Sequence, residues 1–166
     1  MNDASSPTTV SSVDLQRYLG TWYEIARLPM RHEPEDYTDI TATYSLTPEG
    51  TVEVRNRARD GEGVPQESVG EATVVEGSGN AKLEVSFMPD GLKWVPFTKG
   101  DYWILRLDPQ YQTALVGSPD HKYLWLLSRE PVLAPRVQQE FLDAARAQGF
   151  DLADLIHTPH TGNPVR

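Results

Sequence analysis

The sequence predicts an all-β fold: an antiparallel meander of eight short strands that must either sandwich or close on itself. Three observations carry the prediction. Segments rich in Val, Ile, Thr, Tyr, Phe and Trp recur along the chain, several with a period of two. The breaks between them hold turn-forming residues, and only one convincing long helical pattern is present, near the C-terminus.

Taken in order, residues 1–13 (MNDASSPTTVSSV) are small and polar and read as a disordered N-terminal segment. They lack the basic start and apolar stretch of a signal peptide. Asp14 to Gly20 reads as one short helical turn, with Asp14 as N-cap and Gly20 as terminator. Strands follow at roughly 21–29, 39–46, 51–58, 67–76, 81–87, 101–107, 111–117 and 122–129. Ile40, Ala42, Tyr44 and Leu46 alternate with Thr41, Thr43 and Ser45; Leu83, Val85 and Phe87 alternate with Lys82, Glu84 and Ser86. Pro48-Glu49-Gly50, Gly77-Ser78-Gly79-Asn80, Asp108-Pro109 and Ser118-Pro119-Asp120 supply the turns. In 134–148, Val137, Phe141, Leu142 and Ala145 share one face of a helix that starts near Pro135 and stops at Gly149. Such a short one-sided helix must dock on the outer wall of the sheet. Leu152, Leu155 and Ile156 suggest a last extended contact before a polar tail, 159–166. The reading is one domain, 14–158, with no linker or repeat.

The 166 residues are 39% hydrophobic and 23% charged, ordinary for a folded domain that can hold a core or an enclosed cavity. A net charge of −9 without any Lys/Arg run argues against nucleic acid as a partner. The absence of cysteine excludes disulfides, thiolate metal sites, a Cys nucleophile and a lipid-modified Cys anchor within these residues. No stretch is long enough for a transmembrane helix.

Two local sequences sharpen the meander into a family. Gly20-Thr21-Trp22-Tyr23-Glu24-Ile25-Ala26-Arg27-Leu28-Pro29 resembles the opening motif of the lipocalins. The run Tyr111 to Asp120, continued by Tyr123-Leu124-Trp125-Leu126-Leu127-Ser128-Arg129-Glu130-Pro131, resembles their second and third motifs. The form is that of the branch holding bacterial lipocalin (Blc), apolipoprotein D and the plant temperature-induced lipocalins. The resemblance runs from about Asp14 to Thr158 and implies an eight-stranded antiparallel up-and-down β-barrel with one C-terminal helix packed outside. It further implies that Gly20, Trp22 and Arg129 seal the closed end, with Arg129 stacked over the indole. The chain departs from the pattern at Asp120-His121-Lys122-Tyr123, where most lipocalins carry Thr-Asp-Tyr. It also lacks the Cys found near Gly117 in some bacterial relatives and any lipoprotein anchor sequence. The family suggests a periplasmic or outer-membrane location, and a monomer or homodimer; neither follows from the residues.

A barrel of eight strands has room for side chains or one small ligand. Alternation nominates Tyr44, Val54, Val85, Phe87, Ile104, Tyr123 and Trp125 as inward-facing ligand contacts, with Asn56 and Tyr102 as polar handles, against the alternative for each of packing on the helix outside the barrel. The stretch 88–100 is too long for a tight turn and holds Leu92, Trp94, Val95 and Phe97 in a loop, which the resemblance to the lipocalins implies lies at the open mouth. These residues are read as a mouth lid or membrane-touching tip, flanked by Lys93 and Lys99, against the alternative of a loop folded back on the barrel. Glu33, Glu35, Asp36 and Asp39 read as a solvated loop, and His157 and His160 lack further ligands for a metal. His32 and His121 stand alone, and Ser118 has no evident base. No nucleophile elbow or phosphate loop is present, and the reading names no cofactor, metal or catalytic residue. The expected function is binding of a small hydrophobic ligand such as a fatty acid or lysophospholipid, for transport or storage near a membrane. The alternatives are a cavity enzyme acting on a lipophilic substrate, or a binder of haem or a pigment.

Overall fold

Asp14 starts helix α1 (Leu15–Tyr18), its carboxylate accepting the Arg17 N–H at 3.4 Å, one of the donors that a helix start leaves open. Gly20, at φ +103°, then turns the chain into β1 (Gly20–Arg27), a backbone conformation a side chain would strain. In the computed structural model, which describes residues 6–30, 34–87 and 99–166, the meander follows as β2 (Thr38–Leu46), β3 (Val52–Arg59), β4 (Pro65–Val74), β5 (Lys82–Phe87), β6 (Lys99–Leu107), β7 (Thr113–Gly117) and β8 (Leu124–Ser128). Helix α2 (Pro135–Ala147) and a short β9 (Ile156–His157) complete the chain. Each of β2 to β8 pairs antiparallel with the next, and β1 pairs with both β8 and β2. The sheet is therefore closed: an eight-stranded barrel with β9 added beside β1.

Two strands begin two residues later than their composition suggests, because turn chemistry claims the first residues. The Asp108 carboxylate accepts the N–H groups of Gln110, Gln112 and Thr113, and Tyr111 sits at φ +58°. Ser118 and Asp120 likewise organise the turn before β8, with His121 at φ +65°. Asx-type bonds of this kind compete with the ladder and win locally.

The apolar residues divide into two main layers, one inside the barrel and one outside. Inside lie Trp22, Tyr44, Val54, Val85, Phe87, Tyr102, Ile104 and Trp125, with Tyr123 packed against them. Outside, Leu105, Leu115, Leu124 and Leu126 meet Phe141, Leu142 and Ala145 of α2, together with Phe150. Gly117 makes that outer contact close, since a Cβ there would fall 2.8 Å from the Phe150 ring and 3.0 Å from Leu105. Two β-bulges let single strands serve both layers. In β1 the register slips between Glu24 and Ala26, so Ile25 and Ala26 both join the outer layer; in β6 it slips between Ile104 and Arg106.

Residues 8–13 and the polar C-terminal tail both bond to the barrel. Val10 and Val13 donate to the carbonyls of Ile104 and Gly79 at 3.0 and 2.8 Å, and Val13 is buried. Thr8 exchanges two hydrogen bonds with the Gln148 carboxamide. The polar tail is likewise part of the wall. The β1–β2 pairing stops at Tyr23 and Thr41, and the gap beyond it is filled by the C-terminus. Thr158 N–H donates to Ile25 at 3.0 Å, and Asp39 N–H donates to Pro159 at 2.9 Å. The buried Asp39 carboxylate accepts from both the N–H and the hydroxyl of Thr161 at 2.8 Å. Polar residues order here because their partners are unpaired backbone and side-chain groups at the seam.

Candidate ligand cavity

The two ends of the barrel differ. The α1 end carries the tight turns β2–β3, β4–β5 and β6–β7, whereas the β1–β2, β3–β4, β5–β6 and β7–β8 connections lie at the other end.

At the α1 end, the Tyr18 side chain enters the barrel from beneath. Its hydroxyl lies 2.7 Å from that of Tyr102, which in turn donates to the Tyr44 hydroxyl at 2.9 Å. Burial pushes all three phenols above their usual pKa, so all remain neutral hydrogen-bonding groups at physiological pH. Between these rings and Leu15, Leu19 and Val52 the free space is about 10 Å³, room for about one water. The floor is filled.

Below the floor, the Trp22 indole donates to the Tyr18 carbonyl at 2.9 Å, and the Arg129 guanidinium lies 3.8 Å from the centre of the indole. Arg129 also donates to the carbonyls of Tyr111, Thr21 and Arg17 at 3.1, 3.1 and 2.8 Å. Gly20 leaves space for it, as a Cβ there would lie 3.3 Å from Arg129 Nη1. One cation thus ties together α1, the start of β1 and the β6–β7 turn. Gly20, Trp22 and Arg129 meet at this end.

Above the floor the lumen has two unlike walls. Beyond Tyr44, Val52, Val54 and Ala72 at the floor, the inward positions of β2, β3 and β4 include small or polar groups, Ala42, Asn56, Ser68 and Gly70, with Ala42 opposite Asn56 and Asn56 opposite Ser68. Gly70 is needed for packing, because a Cβ there would approach the Phe87 ring to 2.7 Å and the Ser86 carbonyl to 2.6 Å. The other wall is bulky, with Phe87, Ile104, Val116 and Trp125, and Tyr123 stacks on Trp125 with ring planes 11° apart. Leu92, Trp94 and Phe97, and the lid or membrane tip assigned to 88–100, lie outside the described residues for 88–98.

The sequence did not point to an ion pair in this interior. Arg27 is 0% exposed, and its guanidinium donates to Glu24 at 2.9 Å, Thr158 at 3.2 Å and the Pro34 carbonyl at 2.8 Å. Strict alternation puts residues three apart on opposite faces, but the bulge between them returns both to the inner face, opposite Trp125 and Leu127. The available signal was two charges inside the otherwise apolar run Trp22 to Leu28. Ser68, fully buried with an unpartnered hydroxyl, was missed as well. Among the described residues no group of three or more His, Asp or Glu side chains is placed to hold a metal. His160 instead contacts the Glu24 carbonyl through Nε2 at 2.7 Å.

Residues 13–160 match the family model described as the lipocalin-like domain. The chain belongs to the lipocalin family. Its members bind small hydrophobic ligands, and that is the activity class of this barrel. The chain is 36% identical to temperature-induced lipocalin-1 of Arabidopsis thaliana, covering 99% of this chain and 88% of that one. It is 41% identical to outer membrane lipoprotein Blc of Escherichia coli K12, covering 94% and 84%. Among solved structures, lobster apocrustacyanin A1 superposes with a TM-score of 0.68 over 96% of this chain and 92% of that one; at 15% identity this likeness speaks for the lipocalin fold alone.

Proposed function

We propose that this lipocalin captures a single-chain lipid, a fatty acid, a lysophospholipid or a similar molecule, in the upper lumen and holds it without chemical change. The observation that carries the reading is the asymmetry of the interior. A packed tyrosine floor closes one end, and above it an apolar lumen has one wall of small residues facing one of large ones. Small side chains on β2 to β4 leave width for a guest, while Phe87, Ile104 and Trp125 offer apolar contact. Burying a lipid chain against them removes about 25 cal/mol for each Å² taken from water. Tyr44, Val54, Val85 and Tyr102 form the base of the site, with Tyr123 and Trp125 higher up. Asn56 is the polar handle. Leu92, Trp94 and Phe97 are assigned to its mouth on sequence grounds.

Similarity to a protein named an outer membrane lipoprotein supports a working place beside a membrane. The test is titration of the purified protein with oleate and lysophosphatidylcholine, followed by Trp fluorescence, since Trp125 lines the lumen. A saturable change is expected with one ligand per barrel. Absence of saturation with either lipid, together with no lipid extractable from natively purified protein, would falsify the reading. Flotation with anionic vesicles tests the membrane arm independently.

A further inference from the structure

Inside the barrel, the β3–β4 wall carries two polar side chains that the fold leaves without hydrogen bonds. Ser68 is 0% exposed, and its Oγ has no partner. Asn56 sits directly opposite it in the ladder, half-buried, and its carboxamide takes part in none of the side-chain hydrogen bonds among the described residues. Facing side chains on paired strands stand about 5 Å apart at Cβ, close enough for both to reach one atom. Their surroundings are small or apolar: Ala42 flanks Asn56 on β2, and Gly70 is the next inward residue of β4. Buried polar groups normally find partners within the fold, and adjacent ones that do not are positioned for something else.

The charges around this pair indicate what that partner is. On the inner face of β1 the Arg27 cation is balanced by the Glu24 carboxylate 2.9 Å away. Arg55, Arg57 and Arg59 alternate with the inward residues of β3, and their guanidinium groups bond to Glu53, Glu67, Asn163 and Gly63 on the outer side. Lys82 lies over the Trp103 ring, also outside. Among the described residues, then, Asn56 and Ser68 offer neutral donors with no uncompensated cation beside them. A carboxylate held there would lose its hydration without a counter-charge. An ester carbonyl or a hydroxyl needs only the donors.

Resting on the lipid-binding reading above, we infer that Asn56 and Ser68 form a neutral hydrogen-bonding subsite that takes an uncharged oxygen of the ligand. The ligand class is a monoacyl ester or alcohol in preference to a free carboxylate. The Ser68 hydroxyl and the Asn56 amide N–H donate to the ligand oxygen, and the Asn56 carbonyl accepts when that oxygen carries a proton.

The experiment compares the unaltered protein with Ser68→Ala and Asn56→Leu at pH 8, using 1-monooleoylglycerol, oleate and tetradecane as probes read by Trp fluorescence. The unaltered protein is expected to bind monooleoylglycerol more tightly than oleate. Each substitution should weaken monooleoylglycerol about three- to tenfold and leave tetradecane unchanged. Ligand-free Ser68→Ala should melt no lower than the parent, because the substitution removes a hydroxyl that has no partner. Equal losses for monooleoylglycerol and tetradecane, no loss for monooleoylglycerol, or tighter binding of oleate than of monooleoylglycerol would each overturn the subsite while leaving the lipid-binding reading intact. Failure of the unaltered protein to bind any probe would overturn both.

Discussion

Replacing Arg129 by Met keeps most of the side chain's length and removes its charge and all its donors. Three Arg129 nitrogens reach four backbone carbonyls at 2.8 to 3.3 Å, Nη2 being shared between Arg17 and Tyr18, and its charge sits 3.8 Å from the centre of the Trp22 ring. In this partly solvated position each donating nitrogen contributes about 1 kcal/mol and the stacking about 1 kcal/mol. The terms share one geometry, and water can reach part of what is vacated, so the total is about 3 rather than 4 kcal/mol. For a domain of this size each kcal/mol lowers the midpoint by roughly 2–4 °C, so Arg129→Met should melt about 6–12 °C lower. Thermal unfolding followed by far-UV circular dichroism at pH 7 measures it, with lipid titration at low temperature as the companion assay. The latch lies beneath a filled floor, so lipid affinity in the folded variant should stay within about twofold, a change of under half a kcal/mol. A midpoint drop below 3 °C would refute the energetic account of the latch. A large loss of affinity with an unchanged midpoint would refute its separation from the cavity.

The tyrosine floor predicts alkaline sensitivity. Burial raises the pKa of Tyr18, Tyr44 and Tyr102 above the ordinary value near 10, so the unfolded chain loses these protons at lower pH than the folded one. The stability they confer is complete below about pH 10 and is lost as pH rises further, by up to about 4 kcal/mol per pH unit for three groups. Denaturation midpoints between pH 8 and 12 measure this, and Tyr44→Phe should flatten the slope; a parent curve level through pH 11 would contradict it. Gly117→Ala should cost about 1–3 kcal/mol, because the new methyl meets Phe150 and Leu105 at 2.8 and 3.0 Å and must push the end of α2 away from the barrel. Urea midpoints test that, and a neutral result would mean that Phe150 yields freely. Truncation after Leu155 removes the bonds that Thr158 and Thr161 make to Glu24, Arg27 and Asp39. It should cost at least about 3 kcal/mol in the same assay, and an unchanged midpoint would show that the tail is decoration.

Local chemistry made much of the barrel legible. Period-two alternation in 39–46 and 81–87, Pro, Gly and Asp in the breaks, and a one-sided stripe from Val137 to Ala145 each depend on residues close together in the chain. The strand sequence and the docking helix could therefore be read directly. The motif residues Trp22 and Arg129, far apart in sequence, came from family likeness, and the structure places them face to face.

What the sequence by itself determined is the strand inventory, the sign of each face over short runs, and the closed-end motif. Tertiary structure decided which face a residue takes past a bulge, and so brought Glu24 and Arg27 together inside. It also decided that a polar tail would complete the wall between β1 and β2, and that Ser68 would lie buried opposite Asn56. The physical reason is range. Alternation and turn preference are properties of a few neighbouring residues, whereas bulge position, seam closure and the partners of a buried polar atom depend on how whole strands register once the sheet closes.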